Sequence, residues 1–282
     1  MPLLLTIILI LSPIASTEIV LPPRCHMNTE INTICAIEIS KLHPTQFSVG
    51  EWQVYCEIED IHNYWSSCSD IVTLYKQINP PVVLLNDSFY VLDNHHFLRS
   101  LYEINNTEPI NCPLLFGKDP GERFVFVKLV GRYGKQFCAE EQFFEHMLSK
   151  HHLFPYHRGM HVPPALLPSA IADLRDDHYR SLAFIVRQFG GFSPQQAKNV
   201  YYAEFRWAQF FRERLKLPKN FVPVKHYQIV LAALELAHSS AASWLPGYTR
   251  ERFPPGQTCC KVLRELQPIV EAHMLKKASN VK

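Results

Sequence analysis

The sequence contains none of the short motifs that mark several common enzyme classes. It has no G-x-S-x-G, H-E-x-x-H, Walker A or G-x-G-x-x-G, so lipase, zincin, P-loop and Rossmann readings lack support. There is no C-x-x-C pair either, although the chain has eight cysteines. Thioredoxin-type and zinc-ribbon readings fall with it. No cysteine lies between residues 139 and 258, and there is no internal repeat or low-complexity tract. After the first 14 residues no segment is apolar enough to span a bilayer, which takes about 20 such residues. The net charge of +2 is too small to argue for nucleic-acid binding by itself.

What is present begins with "MPLLLTIILILSPI", which carries no charged side chain. The small residues of "AST" follow. Residues 1–17 read as a secretory signal peptide, so the expected location is secreted, extracellular or lumenal, with no transmembrane span once the signal is removed. The cysteines agree. An even count behind a signal peptide points to disulfides, whose pairing the sequence leaves open. Six of the eight lie between residues 25 and 138, so the N-terminal half is expected to be stapled and the C-terminal half to rely on its core. Two N-x-[S/T] sequons start at Asn86 and Asn105. Charge is uneven. Residues 1–140 hold 9 Lys+Arg against 15 Asp+Glu, and residues 141–282 hold 19 against 11. The basic half suits an anionic ligand or complements the acidic half.

Periodicity predicts the elements. Residues 18–44 read as irregular, and "FSVGEWQVYCEIEDI" (47–61) alternates weakly, as a strand or turn. Residues 62–78 have helical spacing. "PPVVLL" (80–85) and "FYVLD" (89–93) read as a hairpin around the turn "NDS", and 95–104 as a helix. Strands are expected at 110–116 and 123–133. From residue 139 the period becomes helical. Helices are expected over 139–152, over 176–189 with Asp176 or Asp177 as N-cap and Gly190-Gly191 as stop, over 200–217, over 223–245, and over 259–277 with a break or kink at Pro268.

The stretch "VLDNHHFLRSL" (91–101) is the first candidate for chemistry. Asn94 is placed to cap a helix whose first turn holds His95 and His96, where backbone N–H groups lack internal partners. Phe97, Leu98, Leu101 and Ile104 share the face that packs on the sheet. His96 and Arg99 lie opposite and make a candidate anion site. Asp93 is placed to orient a histidine or hold a divalent cation. An ordinary capped helix start with a half-buried histidine fits the same spacing.

"DNHHFLRSL" also resembles the D-G-H-H signature of the ParB-like nuclease family, which has the ParB/sulfiredoxin fold. The likeness continues through "SVGEWQVYCEIEDI", "LPSAIADLRDDHYRSLAFIVRQFGG" and "YYAEFRWAQFFRERL", over residues 44–217 in order. In the wider fold this strand-to-helix turn binds nucleotide phosphates. The resemblance therefore implies a phosphate-facing role for Asp93, His95, His96 and Arg99, with Asn94 standing where the signature has glycine. The turn lacks ParB's arginine pair and sulfiredoxin's cysteine-histidine pair, so sulfiredoxin chemistry is not expected. Partition is not expected either, because the sequence shows no helix-turn-helix or dimerisation tail and reads as secreted.

Three further stretches carry candidates. "DDHYRSL" (176–182) offers Asp177, Tyr179 and Arg180 to a cleft, or is a capped helix with a locking ion pair. "AEFRWA" (203–208) offers Glu204 and Arg206, or is aromatic core. "HHLFPYHRGMH" (151–161) has four histidines, but Pro155 and Gly159 deny it helical ligand spacing, so an exposed, adventitious metal binder is expected.

The expected fold class is α+β, a small mixed-sheet ParB/sulfiredoxin-like domain followed by an all-helical domain. The expected segments are a signal peptide (1–17), an irregular disulfide-stapled stretch (18–43), the sheet domain (44–152) and the helical domain (153–282). The expected function is that of a secreted nuclease or phosphodiesterase, a hydrolase, with Asp93, His95 and His96 catalytic. Asn94, Arg99, Asp177, Tyr179, Arg180, Glu204 and Arg206 are its ligand-binding candidates, and a divalent metal is its candidate cofactor. The alternative is a non-catalytic secreted protein that binds an anionic ligand. Expected ligands are a nucleotide, nucleic acid or another phosphorylated molecule.

Overall fold

A computed structural model of the chain describes residues 19–64, 67–104, 112, 115, 119–134, 136, 137, 139–197, 200–250 and 260–279. The expected signal peptide, most of the 110–116 strand, Cys138, Cys259 and the Asn105 sequon lie outside them. The α+β fold class is as expected. A five-stranded mixed sheet has the order β1-β6-β4-β5-β2, with β1 Ile34–Glu38, β2 Leu42–His43, β4 Pro81–Leu85, β5 Ser88–Val91 and β6 Phe124–Tyr133. β4 and β5 form the expected hairpin. Its turn holds Asn86 at φ 52°, a conformation that asparagine tolerates better than most residues. Asn86 is exposed there.

Successive strand residues point to opposite faces, and each face has its own helices. Val82, Leu84, Phe89 and Val91 join a core with α2 (Cys68–Ile78) and the apolar face of α3 (His95–Glu103), including Phe97, Leu98 and Leu101. Val83, Leu85 and Tyr90 point the other way, onto Phe143, Phe144 and Met147 of α4 (Glu140–Ser149). A third core is helical. It is built from α5 (His178–Gln188), α7 (Ala203–Arg214), α8 (Tyr227–His238) and α9 (Lys261–Ser279). Within it Phe192 stacks on Trp207 at 4.5 Å. α9 runs through Pro268.

Two sequence readings are corrected. Residues 18–44 are not irregular throughout. β1 forms the sheet edge against β6, and the Cys25–Cys35 disulfide ties its flank. Five residues are too few for alternation to stand out. Residues 47–61 hold only a two-residue strand, β3 (Ser48–Val49), and are otherwise helix α1 (Glu51–Tyr64). Val54, Ile58 and Ile61 form one i, i+4, i+7 stripe on the sheet core. Gln53, Glu57 and Asp60 form a second stripe one residue behind. Two interleaved helical stripes, one apolar and one polar, imitate strand alternation.

α1 joins the sheet to the helical core. β7 (Tyr156–His157) and β8 (Met160–His161) form a short hairpin, the four-residue α6 (Pro194–Ala197) lies between α5 and α7, and β3 pairs with β9 (Arg175–Asp176), just before α5. Gly50 follows β3, and a Cβ there would meet the Ser181 amide nitrogen at 2.8 Å. Only glycine lets the start of α1 approach the α5 backbone this closely. Disulfide Cys56–Cys260 pins the middle of α1 to the start of α9, and Cys68–Cys112 pins α2.

Candidate active site

The 93–96 turn is built on the backbone conformation of Asn94. Its φ of 65° is left-handed, which explains why asparagine substitutes for glycine here. Its N–H donates to Asp93 Oδ1 at 2.7 Å, whereas the Asn94 side chain, expected to cap α3, makes no capping bond. α3 then begins with two buried histidines. His95 Nε2 accepts the Thr45 N–H at 3.1 Å, and His96 Nε2 accepts the Gly50 N–H at 2.9 Å. A ring nitrogen that accepts carries no proton, so both imidazoles hold their proton on Nδ1. Burial drives His95 down to about 3. Burial, helped by the Arg180 charge, holds His96 well below the ordinary value. Burial thus favours the neutral form of both rings.

The turn faces a cavity of about 570 Å³ walled by α1, α5 and the start of α7. Arg180 and Arg187, seven residues apart on one face of α5, both line it. Arg180 is 4% exposed. Its Nη2 lies 3.6 Å from Glu204 Oε2, while its Nε and Nη1 have no hydrogen-bond partner among the described residues. Arg187 pairs with the other Glu204 oxygen. Burial works to raise the pKa of Glu204, but the two guanidinium charges prevail and hold it below the usual range.

Opposite the arginines stands Glu57. Gln53 Nε2 donates to its Oε1 at 2.8 Å, and its buried Oε2 has no hydrogen-bond partner among the described residues. The residue keeps some exposure at its stem, yet burial of the carboxyl raises its pKa to about 7 against the pull of Arg180 and Arg187. Asp93 sits at the exposed rim, its pKa raised by desolvation. A near-neutral carboxyl, two arginines and two buried histidines thus line one space. That set can bind an anion and move a proton. Among the described residues no group of three or more His, Cys, Asp or Glu is arranged to hold a metal ion. Each histidine already spends Nε2 on the backbone, so the turn does not fit a metal.

The family described as "Putative ParB-like nuclease" matches residues 35–213, a span that includes every cavity residue named above. The chain belongs to this family. Among solved structures it is similar to protein Atu1540 from Agrobacterium tumefaciens, with a TM-score of 0.61 and 25% identity over 77% of this chain and 98% of that one. No curated protein matches it.

In this ParB-like chain the structure places Asp93, Asn94, His95, His96, Arg180 and Glu204 around the cavity. It separates the other candidates. Arg99 pairs with Glu103 and donates to the carbonyls of Ile171, Ala172 and Leu174, holding α3 to the 171–173 turn. Tyr179 donates its hydroxyl to Leu215 O at 2.9 Å. Asp177 caps α5 and binds Arg212 Nη2 at 2.6 Å. Together with Arg206 it borders a neighbouring cavity. His95 and His96, the expected acid–base pair, each spend Nε2 on a backbone N–H and leave Nδ1 as their donor. Gln53, Glu57 and Arg187 were missed. The i, i+4 spacing of Gln53 and Glu57 and the i, i+7 spacing of Arg180 and Arg187 were the available signals, and the first was hidden by reading α1 as a strand.

The histidine bonds predict a stability cost. His96→Ala leaves the buried Gly50 N–H without an acceptor, a loss of about 1–3 kcal/mol in urea denaturation. An unchanged midpoint would show that this bond does not hold the α1 start.

Proposed function

We propose that the chain is a secreted ParB-like phosphodiesterase that acts on nucleic acid at this cavity. The observation that carries the reading is Arg180. A buried guanidinium with two unsatisfied nitrogens is costly, and a phosphate in the adjoining cavity would satisfy both with charge-assisted bonds. Arg187 and the Nδ1–H groups of His95 and His96 supply further donors around it. Water attacks phosphorus as the bond to the leaving oxygen breaks. Glu57 gives its proton to that oxygen, and a proton from the attacking water restores it. Arg180 and Arg187 offset the charge that builds on the phosphoryl oxygens. Asp93 orients the attacking water from the rim. The family supports the nucleic-acid assignment. Three disulfides among the described residues and the apolar residues 1–17 support an oxidising, extracellular setting.

Titration calorimetry with inorganic phosphate and hydrolysis of a labelled oligonucleotide test this together. Arg180→Gln is expected to weaken phosphate binding about 30- to 100-fold, the worth of the charge-assisted bonds it removes, and to abolish cleavage. Equal phosphate binding by wild type and variant would remove the anion site. Binding without turnover by the wild type would keep that site and remove the catalysis.

A further inference from the structure

A second cavity of about 550 Å³ adjoins the first, and Tyr201, Tyr202 and Phe205 line both. Its character is different. Phe154 packs on Phe205 at 4.4 Å and on Tyr202 at 5.0 Å, so the inner wall is aromatic. Around the mouth stand Tyr156 (41% exposed), Tyr201 (54%) and Trp244 (67%). Rings left this exposed beside a cavity contribute little to the core and present flat faces to a ligand.

The cations around this cavity are not equivalent. Arg212 is committed to Asp177, and Arg158 reaches the Asp176 carbonyl at 3.4 Å. Arg206 is exposed, and its side chain forms no hydrogen bond or ion pair among the described residues. A flat ring attached to a phosphate would place the ring on the aromatics and its anionic link on Arg206, one wall away from the Arg180 cavity.

We propose that this second cavity seats an unpaired nucleobase next to the phosphate held by Arg180, so that the substrate is a single strand. The inference rests on the phosphodiesterase reading. Bases inside a duplex are stacked and paired and cannot enter such a pocket, whereas a single strand offers each base to an aromatic face. Stacking on rings is tolerant of base identity, so selectivity is for strandedness and not for sequence.

Fluorescence anisotropy tests this with three labelled probes of equal length: single-stranded oligothymidylate, an abasic strand and a duplex. The wild type is expected to bind oligothymidylate about tenfold or more tighter than either of the others. In Tyr156→Ala/Trp244→Ala, two exposed rings that lie outside the Arg180 cavity, the ratio of oligothymidylate to abasic affinity is expected to fall to about one. Equal affinity of the wild type for all three probes, or a ratio that survives the double variant, overturns the base site and leaves the phosphate site standing. Failure of the wild type to bind any strand or inorganic phosphate would instead remove the phosphate site itself.

Discussion

Glu57→Gln is expected to slow phosphodiester hydrolysis by about 10²- to 10⁴-fold, the usual worth of a positioned general acid, while making the protein more stable above neutral pH. The two effects share one cause. Folding raises the Glu57 carboxyl from its ordinary 4.5 to about 7 because burial penalises the charged form. Between those values the native state holds a proton that the unfolded chain has released, so stability falls as pH rises from about 4.5 to 7. Above pH 7 the full penalty is present, up to about 3 kcal/mol at roughly 1.4 kcal/mol per pH unit. Glutamine keeps the shape and the bond to Gln53 and removes the ionisation. Urea denaturation at pH 8 and at pH 4 should show a gain at the first and little change at the second. The same titration shapes the wild-type rate, since the acid is lost as pH passes 7, and kcat/KM should drop about tenfold per pH unit beyond it. A rate that stays level to pH 9, or a variant as active as the wild type, would take Glu57 out of the chemistry.

Removing the Cys56–Cys260 bridge should have the largest effect on stability. The bond closes a loop of 204 residues, and loop-closure entropy for that length is about 5 kcal/mol. It also ties α1, which carries Gln53 and Glu57, to the first residues of α9, where the Lys261 N–H donates to Glu59 Oε2 at 2.5 Å. Cys56→Ser/Cys260→Ser is expected to lose several kcal/mol in guanidinium denaturation, and its residual activity should fall more steeply with temperature than that of the wild type. A loss below about 1 kcal/mol would mean that the helical core alone holds α9 in place.

This bridge also marks a limit of the sequence reading. Six cysteines clustered before residue 139 suggested that stapling stays in the N-terminal half. In the structure one of them crosses to the C-terminal helix, a pairing that spacing along the chain does not encode. Asn94 shows the opposite case. Its place between Val91-Leu92 and the apolar stripe of α3 marked a capped turn, and the structure adds the left-handed φ that makes asparagine suitable.

The sequence by itself determined the hairpin, the 93–96 turn, the shared apolar face of α3, the long strand β6 and the helices α4, α5, α7, α8 and α9. All of these follow from periodicity and turn chemistry within about fifteen residues. Tertiary structure alone decided what the turn's histidines do. Their Nε2 atoms meet backbone amides 46 and 50 residues away, and those bonds set the tautomer, while burial lowers the basicity. It also decided the proton donor. Glu57 has an ordinary carboxyl in an ordinary helix until α1 is packed between the sheet and α5, where burial beside Arg180 gives it a pKa near neutrality.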